Sequence, residues 1–121
     1  MSNAIRKVSR AWCFTVNNPQ GPLNFDTSPA SLVRYAIYQE ERGESGTPHY
    51  QGYIELNKPQ RGSALKKLPG LETAHLEARQ GRREQARDYC RKEDSRIAGP
   101  WEFGTWGDGQ GDRTDLKAVK R

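Results

Sequence analysis

Two β-rich runs, Tyr35 to Glu41 and Pro48 to Leu56, flank a short connector, Arg42-Gly43-Glu44-Ser45-Gly46-Thr47. Two glycines give the connector the backbone freedom a turn requires, so the runs predict an antiparallel hairpin. Around it, Trp12 to Val16 reads as a strand stopped by Asn17-Asn18-Pro19. Gln20 to Pro29 reads as a loop leading to a helical turn near Ser31 to Arg34. Ser63 to Leu68 predicts a short helix closed by Pro69-Gly70, and Ala74 to Arg79 a fourth strand. The longest helix is expected over Arg82 to Glu93, entered through Gly81, and a last strand over Trp101 to Trp106. The order β, α, β, β, α, β, α, β predicts an α+β domain. A ferredoxin-like variant is expected, with a central antiparallel sheet of about five strands and flanking helices.

At 121 residues the chain has room for one domain and no second catalytic module. No apolar run approaches the ~20 residues of a bilayer span, and no signal-peptide pattern opens the chain, so no membrane partner is expected. Cys13 and Cys90 are far apart and form no Cys-x-x-Cys pair, which argues against a disulfide scaffold or structural zinc and for a reducing compartment. The net charge of +5 is uneven. Residues 1–10 read as a basic arm with Arg6, Lys7 and Arg10, although Ser2-Asn3-Ala4 also fits an expression-tag remnant. Residues 11–56 carry two bases against five acids, whereas residues 57–98 carry eleven bases against six acids. A basic region beside an acidic one suits a polyanion partner next to carboxylates that bind a cation; the alternative is a solvated lysine and arginine face.

Period-two alternation along the third strand places His49, Gln51, Tyr53 and Glu55 on one face and Tyr50, Gly52, Ile54 and Leu56 on the other. The hairpin brings Glu41 close to the start of that strand. Glu41, His49 and Gln51 form a thiolate-free donor set suited to Mg²⁺ or Mn²⁺. Spacing alone favours His49 as a hydrogen-bonded hairpin residue and Glu41 as a solvated carboxylate, since lone histidines are common and three ligands make an incomplete site. On the predicted long helix Tyr89 and Lys92 share a face, which sets a cation beside a weak phenolic nucleophile; the alternative is a packed tyrosine and a surface lysine. His75 and Glu77 share a strand face and read as structural or DNA-facing. Trp12, Phe14, Tyr50 and Tyr53 fit either a base-stacking platform or a core, and Trp101, Phe103 and Trp106 fit the core.

Three ordered segments, Phe14-Thr15-Val16-Asn17-Asn18, Pro48-His49-Tyr50-Gln51-Gly52 and Tyr89-Cys90-Arg91-Lys92, resemble the motifs of viral rolling-circle replication initiators. The chain is similar to the N-terminal HUH endonuclease domain of the replication-associated proteins (Rep) of circoviruses and nanoviruses. The resemblance covers most of residues 11–106 and includes Tyr38-Gln39-Glu40-Glu41-Arg42-Gly43 and Gly99-Pro100-Trp101-Glu102-Phe103-Gly104.

That resemblance implies a sequence-specific single-stranded DNA nickase and strand transferase acting at a viral origin stem-loop. Tyr89 would form a 5′-phosphotyrosine link and leave a 3′-hydroxyl, supported by Lys92. Glu41, His49 and Gln51 would hold Mn²⁺ or Mg²⁺, with Glu40 the weaker choice because it lies on the opposite strand face. Gln51 stands where the superfamily has a second histidine. Asn17, Asn18, Arg79, Arg82, Arg83 and Arg91 are the expected DNA contacts. The resemblance also implies action in the host cell nucleus. Residues 107–121 resemble a linker toward a helicase domain; no G-x-x-x-x-G-K-[ST] loop occurs here. The chain thus reads as an excised domain, monomeric alone, with oligomerisation through the helicase region. Two other readings stand beside this one: a non-catalytic single-stranded nucleic-acid-binding module with an RRM-like sheet, and a phosphodiesterase that uses water instead of tyrosine.

Overall fold

The computed structural model describes residues 7–107. It holds a five-stranded antiparallel sheet in the order β4-β1-β3-β2-β5, formed by β1 (Val8–Asn17), β2 (Val33–Arg42), β3 (Pro48–Arg61), β4 (His75–Ala78) and β5 (Arg96–Gly104). Two short helices, α1 (Gly62–Leu65) and α2 (Arg83–Tyr89), join them. This is the α+β, ferredoxin-like type of architecture that the sequence predicts. Most of the expected basic arm, and the expected linker and tail beyond Gly107, lie outside the described residues.

The predicted hairpin is present, with Arg42 opposite Pro48 and Glu41 opposite His49. Both strands run longer than propensity suggests. β3 continues to Arg61 despite Pro59, because the β1–β3 register slips between Ser9 and Ala11 and the proline sits in that irregular stretch. β1 begins at Val8, inside the expected arm, because Val8 and Ser9 pair with Arg61 and Gln60. The helical turn expected near Ser31 to Arg34 is not formed. Ser31 is held in a turn by Ser28, and Val33 and Arg34 already belong to β2.

Alternation gives the sheet two different faces. One packs Trp12, Phe14, Val16, Tyr38, Tyr50, Ile54 and Leu56 against Leu23 and Phe25 of the 18–32 loop and against Leu65, Leu71 and Leu76. Trp12, Phe14 and Tyr50 are therefore core, which removes them as a base-stacking platform. Gly52 belongs to this face for a steric reason: a Cβ there would lie 2.0 Å from Phe14 Cζ. The Phe14 ring, on the strand opposite, occupies the space a side chain at position 52 would need.

The other face carries Ala11, Tyr35, Ile37 and Tyr53 and is covered by α2 through Ala86 and Cys90. Tyr53 and Glu55 are fully buried here instead of facing solvent. Arg83 of α2 clamps Glu55 with two hydrogen bonds, Nε to Oε2 at 2.8 Å and Nη2 to Oε1 at 2.7 Å. Tyr53 Oη donates to Glu55 Oε2 at 2.6 Å and accepts from Arg79 Nη1 at 2.8 Å. The Arg83 guanidinium also lies 3.5 Å from the Trp106 ring centroid and donates to the Trp106 carbonyl. Trp106 and Phe103 are partly buried against the two clusters, but Trp101, expected inside, is exposed on the edge strand β5.

A carboxylate with no solvent contact depends on its counter-charge, so Arg83→Ala, which strands the fully buried Glu55, is expected to cost about 3–5 kcal/mol, read from urea unfolding. A loss below about 1 kcal/mol would show that the clamp adds nothing to the attachment of α2. Gly52→Ala should cost about 1–3 kcal/mol through overpacking, with part recovered when Phe14→Leu is added. Additive losses in that cycle would mean the two positions do not compete for space.

Candidate active site

The β2–β3 register assembles the site. Glu41 faces His49 across the ladder and Gln39 faces Gln51, so four polar side chains share one face of two adjoining central strands. His49 Nε2 lies 3.1 Å from Glu41 Oε1. The second oxygen, Oε2, accepts from Lys92 Nζ at 2.7 Å and from Gln39 Nε2 at 2.8 Å. Glu41 is 2% exposed. Burial alone would raise its pKa, but the hydrogen bonds from Lys92 and Gln39, the Lys92 charge and the His49 contact outweigh it and hold the carboxyl below its ordinary value. The group is therefore ionised at neutral pH. Glu40, as alternation requires, is on the opposite face, where its charge acts on Tyr38 and Tyr50.

Lys92 does not reach Glu41 along a helix. The predicted helix to Glu93 stops at Tyr89, and a tighter turn follows in which Cys90 N donates to Arg87 O and Arg91 N to Asp88 O. The chain has to return to the sheet to begin β5, and Cys90 anchors that return by burying its side chain. The one-face helical pairing of Tyr89 and Lys92 is thus corrected in its cause. A turn brings them together, with Lys92 Nζ 4.3 Å from the centre of the Tyr89 ring.

Tyr89 is 54% exposed and lines a groove of about 470 Å³ together with Cys13, Thr15, Gln51, His75 and Glu77. Phenol and amide are on the same side of the sheet. His75 Nε2 and Glu77 Oε2, 3.1 Å apart and exposed, also line the groove. The groove's lining contains neither lysine nor arginine. A nucleobase or sugar suits such walls better than a phosphate does.

Among the described residues no three or more His, Cys, Asp and Glu side chains converge, so an amide oxygen has to complete any three-point cation site. The donor chemistry fits a hard divalent ion. Adjacent ligands of an octahedral ion with bonds of about 2.1 Å stand about 3.0 Å apart, and Glu41 Oε1 and His49 Nε2 are separated by 3.1 Å. Gln51, two residues from His49 on the same face, contacts β1 through long hydrogen bonds, Oε1 accepting from Thr15 at 3.4 Å and Nε2 donating to the Phe14 carbonyl at 3.4 Å. The structure brings Glu41, His49 and Lys92 into contact and leaves Gln51 beside them.

The expected DNA contacts divide. Arg83 is committed to Glu55 and Trp106 and is corrected to a structural residue. Arg79 is partly spent on Tyr53 and the Gly81 carbonyl. Arg82 is exposed at the start of α2, and Arg91 is exposed with a 3.6 Å contact to Asp88. Asn17 is exposed at the end of β1 opposite His49, and Asn18, at φ 51°, turns the chain while its N–H donates to the Pro48 carbonyl. Both asparagines line a second groove of about 570 Å³ with Gln20, Glu72 and Thr73. Gln39 is the site residue that the sequence reading passed over. Its spacing of two from Glu41 is the signal that places it on the same face.

Comparison with known proteins identifies the family. The pattern described as a putative viral replication protein matches residues 9–93, a span that contains Glu41, His49, Gln51, Tyr89 and Lys92. The chain is 52% identical over 93 residues to the master replication protein of subterranean clover stunt virus (strain F), covering 77% of this chain and 30% of that protein. It is 47% identical over 87 residues to the replication-associated protein of beak and feather disease virus, covering 69% and 29%. With the replication-associated protein of canary circovirus it shares 39% identity over 118 residues, covering 90% and 36%. The chain therefore spans between 29% and 36% of the length of these curated relatives. By sequence pattern and by relatives on both sides, it belongs to the viral replication protein (Rep) family shared by nanoviruses and circoviruses.

Proposed function

We propose that this domain is a metal-dependent, sequence-specific single-stranded DNA endonuclease and strand transferase that nicks a viral origin stem-loop to start rolling-circle replication. The observation that carries the reading is the double contact of Lys92, which touches Glu41 Oε2 at 2.7 Å and lies 4.3 Å from the Tyr89 ring. One ammonium thus joins the candidate nucleophile to the candidate cation ligands on one side of the sheet.

The Tyr89 oxygen attacks phosphorus, the new O–P bond forms as the bond to the 3′ oxygen breaks, and the phenolic proton leaves while the departing oxygen takes one up. The products are a 5′-phosphotyrosine and a free 3′-hydroxyl. Attack of a 3′-hydroxyl on that ester reverses the step and rejoins a strand. Exposure of Tyr89 gives the phosphate access, and the Lys92 charge favours the developing phenolate. Glu41 and His49, with Gln51, would hold Mn²⁺ or Mg²⁺, which as a Lewis acid offsets the charge on the scissile phosphate. The groove beside Tyr89 would take bases next to that phosphate. The relatives' printed names, which speak of replication, support this reading. A binding module without catalysis has less support, because the aromatic residues such a sheet would stack on bases are inside the core. The proposed place of action is the host nucleus, with assembly through regions beyond this chain.

Incubation with an origin oligonucleotide and Mn²⁺ should yield a covalent adduct on a denaturing gel, and Tyr89→Phe should abolish it. Cleavage that survives the substitution would return the hydrolase reading. His49→Ala should slow adduct formation by at least about 10–100-fold while binding of the oligonucleotide changes little. Parallel loss of both would contradict the separation of cation site and DNA contacts. Joint replacement of Arg82 and Arg91 by alanine should weaken binding of every sequence and lower the salt slope by about 1.4, at about 0.7 per phosphate contact on a single strand. An unchanged slope would place the phosphate contacts elsewhere.

A further inference from the structure

Gln39 is fully buried and lies between the candidate cation ligands and the turn that follows Tyr89. Its Nε2 uses both hydrogens, donating to Glu41 Oε2 at 2.8 Å and to the Lys92 main-chain carbonyl at 2.8 Å. These acceptors settle the orientation of the amide, because its oxygen in that place would meet a carboxylate and a carbonyl. Its Oε1 has no hydrogen-bond partner among the described residues. The Lys92 side chain also reaches Glu41, but through a flexible four-carbon stem with freely rotating donors. The Gln39 contact grips the Lys92 backbone itself.

We propose that Gln39 is a positioning residue that locks the Glu41 carboxylate and the Tyr89-to-Lys92 turn into one unit, presenting Glu41 Oε1 beside His49 for a divalent cation. The proposal rests on the cation reading above. It follows from two geometric needs. A carboxylate that offers one oxygen to a cation has to have the other oxygen fixed, and Oε2 is fixed by Gln39 and Lys92 together. A nucleophile carried on the last residue of a seven-residue helix has to be tied to the sheet, and the Gln39–Lys92 bond ties the main chain of that turn to the strand that carries Glu41. Ligand-supporting hydrogen bonds of this kind change cation affinity by about 10–100-fold when removed.

The test is a titration of free Mn²⁺ by electron paramagnetic resonance on EDTA-stripped wild type, Gln39→Met and Glu41→Gln, each well below its melting midpoint. Methionine keeps the length and loses both hydrogen bonds. Gln39→Met is expected to weaken Mn²⁺ binding about tenfold, and Glu41→Gln more. A weakening of less than threefold in Gln39→Met, with Glu41→Gln impaired, overturns the positioning role alone and leaves the cation site standing. Wild-type Mn²⁺ affinity in Glu41→Gln overturns the cation reading and the proposal with it. If Gln39→Met does not melt cooperatively, Gln39→Asn, which keeps the amide but withdraws it by one methylene, is held to the same threefold threshold.

Discussion

A single buried carboxylate organises this domain's candidate chemistry. Glu41 is ionised while nearly excluded from water, and it holds that state because two donors, Gln39 from its own strand and Lys92 from the turn after α2, and a contact with His49 of the neighbouring strand converge on it. The two oxygens have separate duties. Oε2 is saturated by an ammonium and an amide, and Oε1 is left with the imidazole. That division lets one acid anchor the turn after Tyr89 through one oxygen and keep the other beside His49, as the proposed cation site requires.

The stiffness the site needs comes from where it is built. β2 and β3 each have neighbours on both sides, so neither the Glu41–His49 pair nor the Gln39–Gln51 pair lies on a fraying edge. Helix α2 is only two turns long and has little stability of its own. It is held by the Arg83–Glu55 clamp at its first turn, by Arg87, which donates to Glu102 on β5, and by the buried Cys90 just past its end. Residues that the charge count reads as phosphate binders are thus partly spent on fixing the helix that carries Tyr89. Net charge reports how many cations a chain has; the fold decides which of them face the solvent.

Much was legible from the residues. The strands showed themselves through β-branched and aromatic runs with glycines between them, and the His49-to-Glu55 alternation placed the polar set on one face because side chains in a strand have a period of two. Strand length departs from propensity where pairing overrides it, as at Val8, Pro59 and Val33, and α2 is shorter than its composition suggests, although nothing in Arg91-Lys92-Glu93 forbids a helix. The role of Arg83 escapes local pattern for a similar reason. Its partner, Glu55, is far away in sequence, and only the crossing of α2 over β3 brings them to 2.7 Å.

The sequence by itself determined the alternation, the hairpin and which polar side chains share the His49 face, because those follow from local periodicity and chemical type. Only the tertiary structure decided that Gln39 would bridge Glu41 to the Lys92 backbone, that Arg83 would be clamped to Glu55 and that Tyr89 would open onto a groove. Each of these depends on contacts between segments distant along the chain, and no local pattern specifies how a short helix docks across a sheet.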